Sequence, residues 1–458
     1  MKKILSLILA AALTLSLTGC RNDPSDSSAD SSAPDSADSG LTEGSAEANT
    51  TDNDNSQNGS TVILSNPVKK TTNGDIDMEA ALSYETNFDT LKTELAAREV
   101  DLSLPVSLNA RENENTMEVF NYLKSIYGKQ VLSAQQQMDL SNTYEDLVFY
   151  NAAGDIPAMK GFDFIFTTGS YSSRDMIDAA IKWATESGGL VTFTWHWNVP
   201  RDVDNPDLGW AFYMERDGVT IDNFDPLKAT TPGTKEYEVA VHDIDLIASY
   251  LQEMESHGIT VLFRPFHEAS DGWFWWGLQN EDKKMIKEGT YPETYQRLWY
   301  MMFDRLENYH KLSNIIWVWN GQSKFCVVDP NTYDIAGVDY YASKEDHSPL
   351  VSQYEKLADY TYEGKMLALS ECGYIPDPQQ CADENAMWLY YMVWNGDFIY
   401  KDISFDGTPS PNEERLNNDL IKEYFANEHL VTWNDLPEFR FGKKETPNPI
   451  VVWEYFKD

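Results

Sequence analysis

Cysteine is nearly missing from this 458-residue chain: Cys20, Cys326, Cys372 and Cys381 are the whole set, and no CxxC pair occurs among them. That spacing excludes a zinc ribbon and a thioredoxin-like redox site. Setting Cys20 aside leaves three thiols, so at most one disulfide forms, and the sequence leaves open whether Cys372 pairs with Cys381. Basic residues are scarce as well. Lys and Arg total 35 against 74 Asp and Glu, a formal net charge of −39. Such a chain is a poor partner for nucleic acid or an anionic membrane surface and suits a neutral ligand. Metal motifs fail on inspection. His267-Glu268 lacks the second histidine of a zincin, because position 271 is Asp. The stretch Asp202 to Asp207 lacks the Gly at loop position six and the later Glu of a calcium loop. No metal and no cofactor is expected. No internal repeat appears, and no Gly-rich loop succeeds the first candidate strand, which argues against an open doubly wound sheet.

The N-terminus has its own pattern. A basic Met1-Lys2-Lys3 start precedes an apolar run from Ile4 to Leu17, too short for a comfortable transmembrane helix and of the right form for an export signal. The run closes in Leu17-Thr18-Gly19-Cys20, which resembles the bacterial lipoprotein processing box. That resemblance implies a signal over residues 1–20, lipidation at Cys20, and a location on the extracellular face of the bacterial cell membrane, reached only through the lipid. Residues 21–60 are Ser, Asp, Asn, Ala, Thr and Gly with almost no large apolar side chains, so they cannot offset their ordering entropy and read as a tether. They hold nine acidic residues against one Arg, so most of the negative charge belongs to residues 61–458. Residues 61–110 read as a polar lead-in with a helix near Tyr84 to Arg98, and 111–458 as one large domain, expected to be a monomer.

Within that domain eight short runs rich in β-branched and aromatic residues recur: Gln130–Ala134, Phe162–Thr167, Leu190–Trp195, Thr260–Phe266, Asn314–Trp319, Ile335–Tyr340, Met366–Ser370 and Tyr391–Trp394. Helix-period segments lie between several of them, including Ser173–Glu186, Tyr237–His257 and Pro292–Tyr309, and Gly258 stands where a helix C-terminus favours glycine. Eight buried strands with intervening helices predict an α/β fold, the (β/α)8 TIM barrel, whose chemistry sits at the C-terminal ends of the strands. The chain is also rich in aromatics, with 14 Trp, 25 Tyr and 20 Phe. Flat apolar rings are what the C–H faces of pyranose sugars require, although Trp275, Trp276, Trp317 and Trp319 read as packing.

Two glutamates stand at strand exits: Glu268 after the fourth run, just before Trp273-Phe274-Trp275-Trp276-Gly277, and Glu371 at the end of the seventh. Retaining glycoside hydrolysis needs such a pair, one carboxylic acid to protonate the leaving oxygen and one carboxylate to attack, about 5–5.5 Å apart. Their environments must differ so that only one is ionised.

The segment Phe263-Arg264-Pro265-Phe266-His267-Glu268 with Phe274-Trp275-Trp276-Gly277 resembles the acid/base segment of glycoside hydrolase family 26, best known for β-1,4-mannanases, and the likeness runs from about Tyr127 to the C-terminus. It implies Glu268 as acid/base and Glu371 as nucleophile. It further implies that His196 borders the reacting sugar, that His267 addresses that sugar near its 2-hydroxyl, and that Trp273 lies beside the acid/base. Tyr341, or else Tyr340, would touch the nucleophile, Trp394 would floor the site, and Arg264 would be a buried positive partner. Family members commonly read Thr-Glu-Phe-Gly around the nucleophile, where this chain has Ser370-Glu371-Cys372-Gly373. The expected activity is a retaining endo-β-1,4-mannanase acting on mannan, glucomannan or galactomannan. Mixed-linkage β-glucan, β-1,3-xylan, exo-acting release of mannobiose, and a non-catalytic glycan-binding lipoprotein are the alternatives.

Overall fold

The computed structural model describes residues 65–137, 144–169, 171–277, 292–404 and 407–445. The export signal, Cys20 and the tether lie outside the described residues. No helix among the described residues is long and apolar enough to cross a membrane.

All eight expected strands form: β1 (Val131–Gln136), β2 (Met159–Asp163), β3 (Leu190–Thr194), β4 (Val261–Arg264), β5 (Ile315–Trp319), β6 (Ile335–Tyr340), β7 (Met366–Cys372) and β8 (Tyr390–Val393). Each pairs in parallel with the next, and β8 returns to β1 from Leu132↔Tyr390 to Gln135↔Val393, closing an eight-stranded barrel. Every residue of these strands except Tyr340 is buried. Burial on both faces explains why they read as continuous apolar runs and not as alternating patterns. A short strand, Leu430–Val431, adds in parallel at the start of β1.

The second strand lies earlier than its expected span of Phe162–Thr167. The Asp163 carboxylate accepts the Ile165 N–H at 2.9 Å and turns Phe164–Phe166 into a 3-10 helix. Three aromatic and β-branched residues therefore continue the apolar run past the strand's end. At the other end, Lys160 hid the strand from an apolar count; it is buried against Asp146.

Among the described residues ten α-helices accompany the strands: α1 (Met78–Leu82), α2 (Phe88–Ala97), α3 (Glu114–Ile126), α4 (Tyr144–Ala153), α5 (Asp175–Ser187), α6 (Lys235–Ser256), α7 (Pro292–Asp304), α8 (Val351–Tyr360), α9 (Pro378–Asp383) and α10 (Asn418–Phe425). Between β5 and β6 the described residues form only the 3-10 turns Lys324–Cys326 and Pro330–Thr332. The longest helix, α6, shows how local sequence sets its ends. Thr234 caps the start by accepting from the Tyr237 N–H at 3.2 Å. At the other end Gly258 takes φ +75°, with Ile259 N–H bonded to Met254 O and Gly258 N–H to Glu255 O, a Schellman closure. Its buried face, Tyr237, Val241, Ile244, Ala248 and Leu251, keeps the 3.6-residue period against the barrel wall.

The lead-in is bound to the outside of this wall. Helix α7 runs on into a π-helical turn, Arg305–Tyr309, that brings Arg305 and Glu307 inward. Arg305 donates to both Asp245 oxygens at 2.6 and 2.8 Å and to the carbonyls of Ala81 and Tyr84 at 2.7 and 3.2 Å. Glu307 accepts from Ser107 at 2.6 Å and from the Trp317 indole at 2.8 Å. Farther out, the Asn66 N–H meets His310 O at 2.6 Å and the Val68 N–H meets Gln252 at 3.0 Å, at the foot of the barrel where α6 ends and β5 begins.

Removing one partner of a buried ion pair leaves the other charge uncompensated. Burial alone would raise the Asp245 carboxyl, but His310 and Arg305 hold it below its ordinary value. Arg305→Ala is therefore expected to cost about 3–5 kcal/mol of unfolding free energy near neutral pH. Urea unfolding monitored by tryptophan fluorescence measures this, and a loss under about 1 kcal/mol would match a surface pair instead.

Candidate active site

The C-terminal end of β4 is bent out of ordinary backbone geometry. Phe266 and Glu268 take φ of 54° and 52°, the left-handed region, and Gly272 comes next at 73°. For non-glycine residues this costs roughly 1–2 kcal/mol each, so the turn needs outside support. The Trp276 indole donates to His267 O at 2.8 Å and the Glu268 N–H to Asn320 Oδ1 at 3.2 Å. From the long loop between β3 and α6, Tyr213 bridges to Phe274 and the Met214 N–H bonds Trp273 O at 2.7 Å. The result presents Glu268, half-buried, with its Oε2 accepting from the Trp273 indole at 3.0 Å; Trp273 itself is 44% exposed.

Across the barrel mouth Glu371, second to last in β7, is buried. Arg264 Nη2 donates to its Oε1 at 2.6 Å and the Tyr341 hydroxyl to its Oε2 at 2.8 Å. The tyrosine in contact is thus Tyr341, while Tyr340 faces outward, 36% exposed. Arg264 Nη1 reaches Asp339 Oδ2 on β6 at 2.7 Å, so one buried guanidinium spans two carboxylates. One oxygen from each of Glu268, Asp339 and Glu371 lies within 4.8 Å of the other two. Three carboxylates this close could ligate a cation, but Arg264 already supplies positive charge between Asp339 and Glu371.

Burial pushes both glutamates up, and mutual repulsion separates them. Glu371 is raised to about 7 by burial and by Asp339, with Arg264 pulling it back. Glu268 is driven well above its ordinary value by burial, then by Glu371, Asp339 and Asp271, with weaker relief from Arg264. Glu371 therefore ionises first while Glu268 keeps its proton, the split that acid and nucleophile need.

The sugar-facing candidates form a second network. His196 Nδ1 meets Asp163 Oδ2 at 2.5 Å, and its Nε2 faces His267 Nε2 at 3.2 Å. His267 Nδ1 lies 3.2 Å from the Thr194 hydroxyl. Burial, His196 and Arg264 push His267 well below its ordinary value, so it is neutral, and one proton between the two Nε2 atoms satisfies the contact. Both nitrogens of His267 are engaged and it is 1% exposed, so His196, at 8%, is the more open to the cleft. Trp394, the first residue past β8, is 4% exposed with its ring 6.4 Å from His196, and its indole N–H has no partner among the described residues. Trp275, Trp276, Trp317 and Trp319 are each at most 1% exposed and pack the core. Cys326, Cys372 and Cys381 are buried free thiols, so Cys372 and Cys381 do not pair.

The sequence model of Glycosyl hydrolase family 26 matches residues 108–405, well over half of the chain. This chain belongs to family 26. Among curated relatives, it is 32% identical over 364 residues to mannan endo-1,4-beta-mannosidase B of Piromyces sp, covering 76% of this chain and 57% of that protein. It is 30% identical over 332 residues to the mannan endo-1,4-beta-mannosidase of Thermothelomyces thermophilus, covering 72% and 62%. The chain thus spans little more than half the length of the curated relatives it matches. A solved structure with a similar barrel is the β-mannanase of a symbiotic protist of the termite Reticulitermes speratus, complexed with gluco-manno-oligosaccharide. It is 26% identical with a TM-score of 0.62, and the match covers 73% of this chain and 98% of that one.

Reading this family 26 sequence for glutamates, histidines and aromatics missed Asp163, Thr194, Asn320, Asp339 and Ser370. A signal for them was present: each lies within the last three residues of a barrel strand or one residue beyond it, and the rule that places chemistry there applies to every polar residue.

The coupling of the pair can be tested by titration. With ¹³C-carboxyl-labelled glutamate, Glu371 should titrate at about 7 and Glu268 higher. In Glu371→Gln the Glu268 midpoint should fall, because the second cause of its elevation is removed while burial remains. An unmoved midpoint would mean the two carboxyls do not feel each other.

Proposed function

We propose that this chain is a retaining endo-β-1,4-mannanase that cleaves mannan, glucomannan or galactomannan by double displacement. The observation that carries the proposal is the carboxyl pair within 4.8 Å, one member beside the Trp273 indole and the other held by Arg264 and Tyr341. That separation suits direct attack and leaves no room for the intervening water that inversion requires. The mannanase names of its relatives and the gluco-manno-oligosaccharide bound to a similar barrel support the choice of backbone.

In the first step Glu371 attacks the anomeric carbon as the glycosidic C–O bond breaks, and Glu268 gives its proton to the departing oxygen. In the second, Glu268 takes a proton from water, which displaces Glu371 and regenerates both groups. Arg264 and Tyr341 keep Glu371 charged and aimed. His196 and Trp394 are the proposed contacts to the reacting sugar, His267 acts on it through His196, and Trp273 lies beside the acid. The acidic protein suits an uncharged polysaccharide.

The two roles separate by leaving group. Glu371→Ala should abolish cleavage of every substrate. Glu268→Ala should cripple polysaccharide hydrolysis yet spare glycosylation by an aryl β-mannoside with an acidic phenol, giving a burst as the intermediate accumulates. Azide should then speed turnover and yield a β-glycosyl azide. An α-azide, or identical behaviour of the two variants, would reverse the assignment or remove retention. A polysaccharide panel with product sizing checks the backbone: mannan-type polymers should be cut internally, and preference for mixed-linkage glucan or β-1,3-xylan would displace the mannan reading.

The proposed location, anchored outside the cell membrane through a lipidated Cys20, rests on Leu17-Thr18-Gly19-Cys20. Mass spectrometry of the membrane fraction should find a diacylglyceryl cysteine at the mature N-terminus, and a freely released protein cut elsewhere would refute it.

A further inference from the structure

Asn320 comes directly after β5, is fully buried, and touches both halves of the catalytic apparatus. Its Oδ1 accepts the Glu268 N–H at 3.2 Å, while its Nδ2 donates to Asp339 Oδ1 at 2.7 Å and to the Ser370 hydroxyl at 2.5 Å. The amide cannot be flipped. A backbone N–H only donates, so the amide oxygen must face Glu268, which leaves the nitrogen facing Asp339. The Ser370 hydroxyl donates in turn to Asp339 Oδ1 at 2.7 Å, closing a ring in which both amide protons are used. Gly337 makes the space: a Cβ there would sit 2.4 Å from Ser370 Oγ and 3.3 Å from Asn320 Nδ2.

We propose that Asn320 is a positioning residue that fixes the strained acid/base turn to the frame beneath the nucleophile, and so sets the height of Glu268 over the bond to be broken. The inference rests on the proposed two-glutamate mechanism. The two catalytic groups depend on Asn320 unequally. Glu371 is held by Arg264 and Tyr341, and Asp339 keeps Arg264 and Ser370, whether or not the amide is present. The Glu268 N–H, in a left-handed conformation that the turn alone does not favour, meets the Asn320 oxygen. Loss of the amide therefore falls on proton transfer and not on nucleophilic attack.

The test uses the full chain as Asn320→Ala, with Asn320→Ser as a second variant that keeps a polar group should the first fold poorly. Two rates are compared with those of the wild type: turnover of mannan, and covalent labelling of Glu371 by 2-deoxy-2-fluoro-β-mannosyl fluoride, read by mass spectrometry. Fluoride leaves without a proton donor, so labelling reports the nucleophile alone. Expected is a fall of about a hundredfold in kcat on mannan, the effect of a small misplacement of a reacting group, with KM little changed and labelling close to the wild-type rate. A parallel loss of both rates in a folded variant would make Asn320 merely structural and overturn the proposal, as would undiminished turnover. Wild-type protein that neither cuts mannan nor becomes labelled would refute the mannanase reading itself, and this inference with it.

Discussion

One guanidinium organises the barrel mouth. Arg264 lies at the end of β4, and its two terminal nitrogens reach Asp339 on β6 and Glu371 on β7. In a chain with a formal charge of −39, this is the positive charge buried between the clustered carboxylates. Burial works against a charged arginine, but Asp339 and Glu371 outweigh it and hold Arg264 protonated. Three strands that do not all neighbour one another are thereby locked at a common height. The same contact explains why two chemically identical side chains behave differently: Glu371 receives the guanidinium directly, whereas Glu268 receives an indole N–H and three repelling carboxylates. The proposed assignment of acid and nucleophile rests on that asymmetry.

The fold was readable because both faces of each barrel strand are buried, which leaves a continuous apolar signature. The reading failed where polarity and strand structure part company. At β2 a buried Lys160 hid the beginning, and a capping Asp163 ended the strand inside an aromatic run. Glu268, Glu371 and Arg264 were legible because charged residues are conspicuous at the ends of apolar runs. Asn320 and Ser370 were not, because an amide and a hydroxyl next to a strand attract no notice until tertiary contact gives them partners. Tyr340 and Tyr341 differ by one place in sequence, and only the direction of the backbone past Asp339 decided between them.

Two left-handed residues fall together in the turn that carries Glu268. Phe266 and Glu268 are both left-handed within three residues, and Trp276, Asn320 and the loop between β3 and α6 all brace that turn. The bracing loop meets the acid/base segment backbone to backbone through Tyr213 and Phe274, so the shape of one loop and the aim of the other are a single mechanical unit. Adjusting one without the other would disturb the distance between the carboxyls.

The place where the lead-in joins the barrel bears on how the molecule carries load. Asn66 and Val68 attach beside His310 and Gln252, at the foot of the barrel, and Arg305 clasps Ala81 and Tyr84 on its flank. A drag force on a polymer held in the cleft, resisted from the N-terminal side, would run down the barrel axis and leave through α6 and the π-helical turn. It would shear the lead-in along the outer wall and would not peel β4 or β7. The first contacts to yield would lie at the end opposite the two glutamates, so the geometry around that pair would outlast a partial detachment of the lead-in.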